Sequence, residues 1–373
     1  MMEDRPNFLA GVKRLVVKVG SALLVSEDGE PERYWMASLI DDIARLKREE
    51  QIETLIVASG AVALGAQLLD VPPRDKRSLE DSQAAAAAGQ IALSALFAEL
   101  FRAQRLRAAQ ILVTLDDLQG RRRYLNASAT MDRLLALGAT PIINENDSVT
   151  SESIKFGDND RLAARVAQAA NADMVLLLSN VDGLYASDPN AEKGAPFIPV
   201  VDDVNRLGAH LGSSTGHGTG GMAAKVEAAR IAGASGIPLV IASGVSPNPL
   251  MRYRDSGRGT LFKPGDDVSA RKAWIAGKMD IGGRLTIDAG AVKALRDGNS
   301  LLAAGVVVVD GEFLQGATVD ILAETGEPVA RGLVGYTADD TRAIAGLRIE
   351  EQGARLGYAP RSALVHRNNL VLL

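Results

Sequence analysis

Gly218-Thr219-Gly220-Gly221-Met222-Ala223-Ala224-Lys225 opens a helical pattern that runs to Ala232, and its reading decides which kind of chain this is. Its glycines let the backbone come close to a ligand. A helix start offers unpaired N–H groups and the positive end of a dipole, which together suit a phosphate. Lys225 adds a mobile cation one turn in. The segment is not a P-loop, because no G-x-x-x-x-G-K-[ST] occurs anywhere in the chain. Phosphate is expected to bind here by another route, and the fold has to be read from the surrounding segments.

Short apolar runs alternate with helical patterns through the first two-thirds of the sequence. The expected strands are Leu15–Val19, Thr54–Ala58, Gln110–Val113, Thr140–Ile143, Met174–Ser179 and Pro238–Ala242. They are almost continuously apolar, as strands covered on both faces must be. Helical patterns cover Tyr34–Glu49, Val62–Leu69, Glu80–Phe101, Tyr124–Leu137, Asp160–Ala170 and Met222–Ala232. This alternation implies an α/β sandwich with a mainly parallel central sheet, whose ligands gather where strand ends meet helix starts.

The pattern changes near residue 265. Residues 1–265 read as one domain, 266–279 as a linker helix carried by Ser269–Met279, and 280–373 as a separate, mostly β domain. Its expected strands are Leu285–Ile287, Gly305–Asp310, Thr318–Leu322 and Leu364–Val365, with turns at Asp310-Gly311 and Glu324–Glu327.

Composition narrows the chemistry. The chain has 373 residues, no cysteine and 3 histidines, so thiolate chemistry is excluded and a histidine-rich metal site is disfavoured. Aromatics make up 4%, and abundant alanine and glycine suit closely packed helices on a sheet. Residues 1–10 lack the apolar core of a signal peptide, and no apolar run is read as reaching the about 20 residues needed to span a bilayer, so a cytoplasmic location is expected. A net charge of -5 gives no general reason to expect nucleic acid.

Polar groups cluster after several strands. Lys18, in Val16-Val17-Lys18-Val19-Gly20-Ser21, needs a partner or an anionic ligand if buried, and reads equally as a strand-end lysine reaching water. Ser59-Gly60-Ala61 suits a small anion or a substrate carboxylate, or caps a helix. Asn144-Glu145-Asn146-Asp147 suits the ammonium and carboxylate of an amino acid, or makes an Asx-rich turn. In Gly157-Asp158-Asn159-Asp160-Arg161, Asp158 and Asp160 fit the start of a helix. A helix cap needs only one such residue, so the density of polar groups favours a site. Ser179-Asn180-Val181-Asp182-Gly183 combines a turn with a place for nucleotide contacts. Arg121-Arg122-Arg123 reads as a solvated helix start and His217 as loop filler.

Taken in order, these motifs resemble the amino acid kinase superfamily, and specifically its glutamate-phosphorylating branch. The C-terminal segment resembles a PUA domain, a small β-barrel, through Asp288-Ala289-Gly290-Ala291 and Leu301–Val306. The resemblance implies phosphoryl transfer from ATP, with Mg2+, to L-glutamate in proline biosynthesis. It implies Lys18 and Lys225 on the transferring phosphoryl group and Asp160 orienting both. It assigns Ser59, Asp147, Asp158 and Asn159 to the amino acid. It assigns Lys18, Ser179, Asn180, Thr219, Gly220, Gly221, Met222, Ala223, Ala224 and Lys225 to the nucleotide. No metal-binding side chain is implied, because Mg2+ commonly rides on phosphates. Proline as feedback inhibitor, a glutamyl phosphate reductase as pathway partner and a homo-oligomer are implied as well. Two departures from the family pattern stand out: Ser179-Asn180 replaces Thr-Asp, and Ala224 replaces a hydroxyl residue.

Two rivals stand beside this reading. One is a sister kinase acting on acetylglutamate, aspartate or a nucleotide. The other is RNA binding, since PUA domains often bind RNA. Residues 280–373 carry 9 Lys plus Arg against 12 Asp plus Glu, a balance that argues against nucleic acid.

Overall fold

Strand β1 (Arg14–Val19) is apolar apart from its two basic residues because it lies inside a sheet covered on both faces. In this computed structural model, the structure describes residues 7–149, 158–187, 189, 192, 194–207, 221–264 and 281–373. They fall into two units, one within Met1–Leu118 and Ala127–Asp266, the other within Gln119–Asn126 and Asp267–Leu373.

In the first unit, β1 pairs in parallel with β2 (Glu53–Ala58) and β5 (Met174–Ser179). The parallel set extends through β4 (Ala139–Glu145) to β3 (Arg107–Val113) on one side, and to β9 (Leu239–Ser243) on the other. Strand β10 (Thr260–Phe262) runs antiparallel to β9, and β8 (Val200–Val201) closes the eight-stranded order β3-β4-β2-β1-β5-β9-β10-β8.

The period of two along β1 sorts its side chains between layers. Leu15, Val17 and Val19 join a core with α2 (Arg33–Glu49), α4 (Leu79–Ala103) and α9 (Pro249–Ser256). Val16 and Lys18 face the other layer, where α7 (Asp158–Ala170) packs on α8 (Met222–Gly233). This is the mainly parallel α/β arrangement that the alternation implies.

Two features differ from expectation. Helix α4 is by length and composition apolar enough to cross a membrane. Its run of alanines is only weakly apolar residue by residue, so the sequence reading passed over it. Helix α9 was not expected at all. Its start is held by the buried carboxylate of Asp42 on α2, which accepts from Leu250 N at 2.9 Å, Met251 N at 3.3 Å and Asn248 Nδ2 at 3.0 Å. The cap comes from about 200 residues away, yet local signals existed in Pro249 at the first turn and in Gly257, left-handed at the C-terminal end.

In the second unit, five strands take the order β12-β11-β13-β14-β15. They are β11 (Ile281–Ile287), β12 (Val306–Gly311), β13 (Thr318–Ala323), β14 (Pro328–Leu333) and β15 (Leu370–Leu372). Helices Ala289–Arg296, Ala338–Ile344 and Ile349–Leu356 accompany them. The expected turn at Glu324–Glu327 joins β13 to β14, with Gly326 at φ 86. Leu364–Val365 forms no strand; Val365 makes only an isolated bridge with Leu301. Residues Gln119–Asn126 belong to this unit. Arg121 donates to Thr318 Oγ1 and Gln315 Nε2 donates to Asn126 Oδ1 at 3.0 Å, so Arg121 is not simply solvated. The expected linker helix lies outside the described residues.

Candidate active site

Strands β1, β2, β4 and β5 all end on the same edge of the sheet, and the first turn of α7 and the start of α8 meet them there. Such an edge is where ligands bind in open α/β sheets. The sequence-predicted residues gather in two groups around the start of α7.

The first group is charged. Lys18, near the end of β1, approaches Asp160 Oδ1 at 2.7 Å as an ion pair that lies off the line of a hydrogen bond. Lys225, one turn into α8, donates to Asp160 Oδ2 at 3.1 Å. The side-chain exposures are 8% for Lys18, 7% for Lys225 and 0% for Asp160. One carboxylate therefore spans two buried ammonium groups. Burying charge without full compensation is costly. The cost shows at Lys225: burial pushes its ammonium below the ordinary lysine range, Asp160 opposes the shift and Lys18 adds to it. A polyanion arriving between the lysines would offset that cost.

Backbone surrounds this charge with room and donors. Gly20 follows β1, and a Cβ built on it would lie 3.9 Å from Lys18 Nζ. Gly221 precedes α8 and gives it no side-chain cap. Of the first N–H groups of that helix, Ala224 N donates to Gly221 O at 3.0 Å, and those of Met222 and Ala223 point toward its N-terminal end. Thr219 and Gly220 lie outside the described residues. Ser179, buried at the end of β5, donates to Asn180 Oδ1 at 3.2 Å, and Asn180 is exposed. Asp182 is engaged elsewhere: it accepts from Tyr185 at 2.8 Å and pairs with Arg258 at 2.8 Å.

The second group is a relay of neutral amides and hydroxyls with two aspartates, Asp147 and Asp158, beside it in sequence. Asn159 Nδ2 donates to Ser59 Oγ at 2.8 Å, Ala58 O at 3.1 Å and Asn144 Oδ1 at 3.2 Å. Asn144, at the end of β4, donates in turn to Gln90 Oε1 on α4 at 2.7 Å. Asp147 is half-buried in the turn after β4. The backbone of Asp158 opens α7, and its side chain lies outside the described residues.

Sequence reasoning left Gln90 out. A signal existed: Gln90 falls in the buried helical phase of Ala86, Leu93 and Phe97, where a lone amide needs a polar partner. Among the described residues no group of three or more His, Asp or Glu side chains is placed to hold a metal ion.

The model of the amino acid kinase family matches residues 13–243, and that of the PUA domain matches residues 283–351. A glutamate 5-kinase from Sphingopyxis alaskensis is 55% identical over 98% of this chain and 98% of its own. Those from Zymomonas mobilis and Novosphingobium aromaticivorans are 50% and 52% identical, each over 96% of this chain and over 91% and 96% of their own.

Proposed function

Since the chain belongs to the amino acid kinase family, and its near full-length relatives carry the name glutamate 5-kinase, we propose that it phosphorylates the γ-carboxylate of L-glutamate with ATP. The products are L-glutamyl 5-phosphate and ADP, the first step of proline biosynthesis. The observation that carries this reading is the first turn of α7. There Asp160 spans two buried lysines while its neighbour Asn159 reaches Ser59.

A free carboxylate has a reference pKa of about 4.3 and is already ionised at neutral pH. The nucleophile needs no general base. It needs relief from repulsion, because a carboxylate must approach a polyphosphate. One oxygen of the γ-carboxylate attacks the γ-phosphorus. The bond from that phosphorus to the β–γ bridging oxygen breaks, and ADP leaves with the electron pair. Lys18 and Lys225 hold the charge of the transferring group, and Asp160 keeps the two ammonium groups at a common point. The N–H groups at the start of α8 serve the nucleotide phosphates. Magnesium enters with ATP as part of the substrate. Catalysis is then positioning and fixed charge.

Ser59 and Asn159, with Asp147 and Asp158, serve the amino-acid end of the acceptor. Asn159 has its amide hydrogens turned to Ser59, Ala58 and Asn144, so its carbonyl oxygen faces the other way, as an acceptor for an ammonium. Ser59 Oγ accepts from Asn159, which leaves its hydrogen to donate to a carboxylate. The same reading includes feedback by proline at or overlapping this end, hand-over of the acyl phosphate to a reductase, and a homo-oligomer.

Hydroxylamine trapping of the acyl phosphate tests the function, with L-glutamate, N-acetylglutamate and L-aspartate compared at fixed ATP. Hydroxamate formed with L-glutamate and suppressed by proline is the expected result. Turnover on a different acceptor alone would replace the substrate.

A further inference from the structure

Gln90 lies 25 residues or more from every motif that carries the site, on a helix whose sequence reads as plain alanine-rich interior. It is nevertheless buried, and both ends of its amide are engaged. Its Nε2 donates to Ser94 Oγ at 3.1 Å, and its Oε1 accepts from Asn144 Nδ2 at 2.7 Å. Asn144, 2% exposed, has its other face fixed as well: its Oδ1 accepts from the backbone N–H of Glu145 at 2.9 Å. A backbone N–H can only donate, so this bond fixes which way the Asn144 amide lies. The same Oδ1 accepts from Asn159. Ser94, Gln90, Asn144, Asn159 and Ser59 thus form one chain of amides and hydroxyls in which each orientation constrains the next.

The backbone brings Gln90 to this place. Helix α4 crosses α3 (Ala61–Leu68) at a pair of glycines. A Cβ on Gly89 would lie 1.8 Å from Ala61 O, and one on Gly65 would lie 1.7 Å from Ala85 O. Helix α3 starts just after Ser59-Gly60, so this contact ties the helix bearing Gln90 to the helix that follows Ser59.

We propose that Gln90 is a positioning residue for the amino-acid acceptor. It holds Asn144, and through Asn144 the Asn159 carboxamide, in the orientation that offers an acceptor to the substrate ammonium. This rests on the assignment of Ser59 and Asn159 to the acceptor. Without Gln90 the buried Nδ2 of Asn144 has lost its acceptor, and the cheapest repair is to turn or shift Asn144 away from Asn159.

The test compares Gln90→Met, Gln90→Glu and Ser94→Ala with the unaltered chain, by acyl-phosphate kinetics and thermal unfolding. Methionine matches the length of glutamine but accepts no useful hydrogen bond from Asn144. The Gln90→Met enzyme is expected to show a KM for the acceptor raised about tenfold, with kcat and the KM for ATP within about twofold of the original. Glutamate, charged or neutral, still offers an oxygen to Asn144, so Gln90→Glu brings the acceptor KM back toward the original. Ser94→Ala frees only the far end of Gln90 and raises that KM by about threefold.

A folded Gln90→Met enzyme with an unchanged acceptor KM overturns the proposal, as does an equal rise in both KM values. Should Gln90→Met fail to fold, an unchanged acceptor KM in Ser94→Ala together with a raised one in Gln90→Glu overturns it. If the unaltered chain takes another acceptor instead of L-glutamate, the proposed function falls, and the same comparison on that acceptor still decides the role of Gln90.

Discussion

Asp160 and Asn159 are neighbours on the first turn of α7, yet they serve surroundings of opposite kind. Asp160 reaches two lysines and sits among buried charge. Asn159 reaches a hydroxyl, a carbonyl and an amide, all neutral. The charged side can attract a polyphosphate and stabilise charge that moves during transfer, but it does little to choose among acceptors. The fixed donors and acceptors around Asn159 discriminate sharply, because a mismatched ligand leaves buried polar groups unpaired. On the proposed function, one turn of helix divides rate from recognition.

The largest effect is expected on the charged side. Asp160→Asn keeps the shape and removes the charge that both lysines share. Breaking a buried pair by removing one partner costs about 3–5 kcal/mol, and loss of fixed charge at a transferring group costs about 10²–10³ in kcat. Denaturant unfolding and initial rates measure both. Unchanged values would reduce Asp160 to a helix-start residue and erase the contrast.

Next comes Gly89→Ala. Its methyl meets Ala61 O on the neighbouring helix, so α3 and α4 must part. Overpacking of this kind costs about 1–3 kcal/mol. The kinetic damage is expected in the acceptor KM, because α4 carries Gln90. A change confined to the KM for ATP would show that this crossing serves the charged side.

The pH response sharpens the comparison further. Burial holds Lys225 below the ordinary lysine range. Transfer needs the cation, so kcat/KM for ATP, which reports the free enzyme, is expected to fall on the alkaline side before an ordinary lysine would titrate. Stability moves the opposite way. Between the lowered native pKa and the unfolded value of 10.5 the unfolded chain binds more protons, so this lysine's contribution to stability rises with pH across that window. Rate profiles and melting temperatures measured over the same pH range test both signs. A kcat/KM for ATP that stays flat up to the ordinary lysine range would contradict the shift.

Ser59→Ala is expected to have the smallest effect. One neutral hydrogen bond is lost, worth about 1 kcal/mol, so the acceptor KM rises several-fold while kcat holds. A fall in kcat alone would move Ser59 to the charged side.

Much of the sheet was legible because its strands are buried on both faces and read as unbroken apolar runs; Met174–Ser179 matches to the residue. The charged group was legible in part: a lysine inside an apolar strand, and a lysine one turn after a glycine loop, each demand an anion. That Asp160 joins them is not a local property, since residues 18, 160 and 225 meet only through strand order. The neutral relay was harder still. Gln90 is one polar residue in an alanine-rich helix, and its meaning depends on Gly65 and Gly89 letting two helices touch. The Asp42 cap of helix α9 is equally non-local, although Pro249 and Gly257 mark the ends of that helix in the sequence.

The most direct test of this division is steady-state kinetics of Lys225→Ala and Asn159→Ala side by side, with L-glutamate and ATP varied in turn. The expected result is a collapse of kcat with little change in the glutamate KM for Lys225→Ala, and a raised glutamate KM with kcat largely kept for Asn159→Ala. If both substitutions change the same parameter to the same degree, the two sides of the α7 turn do not divide the work, and the account fails.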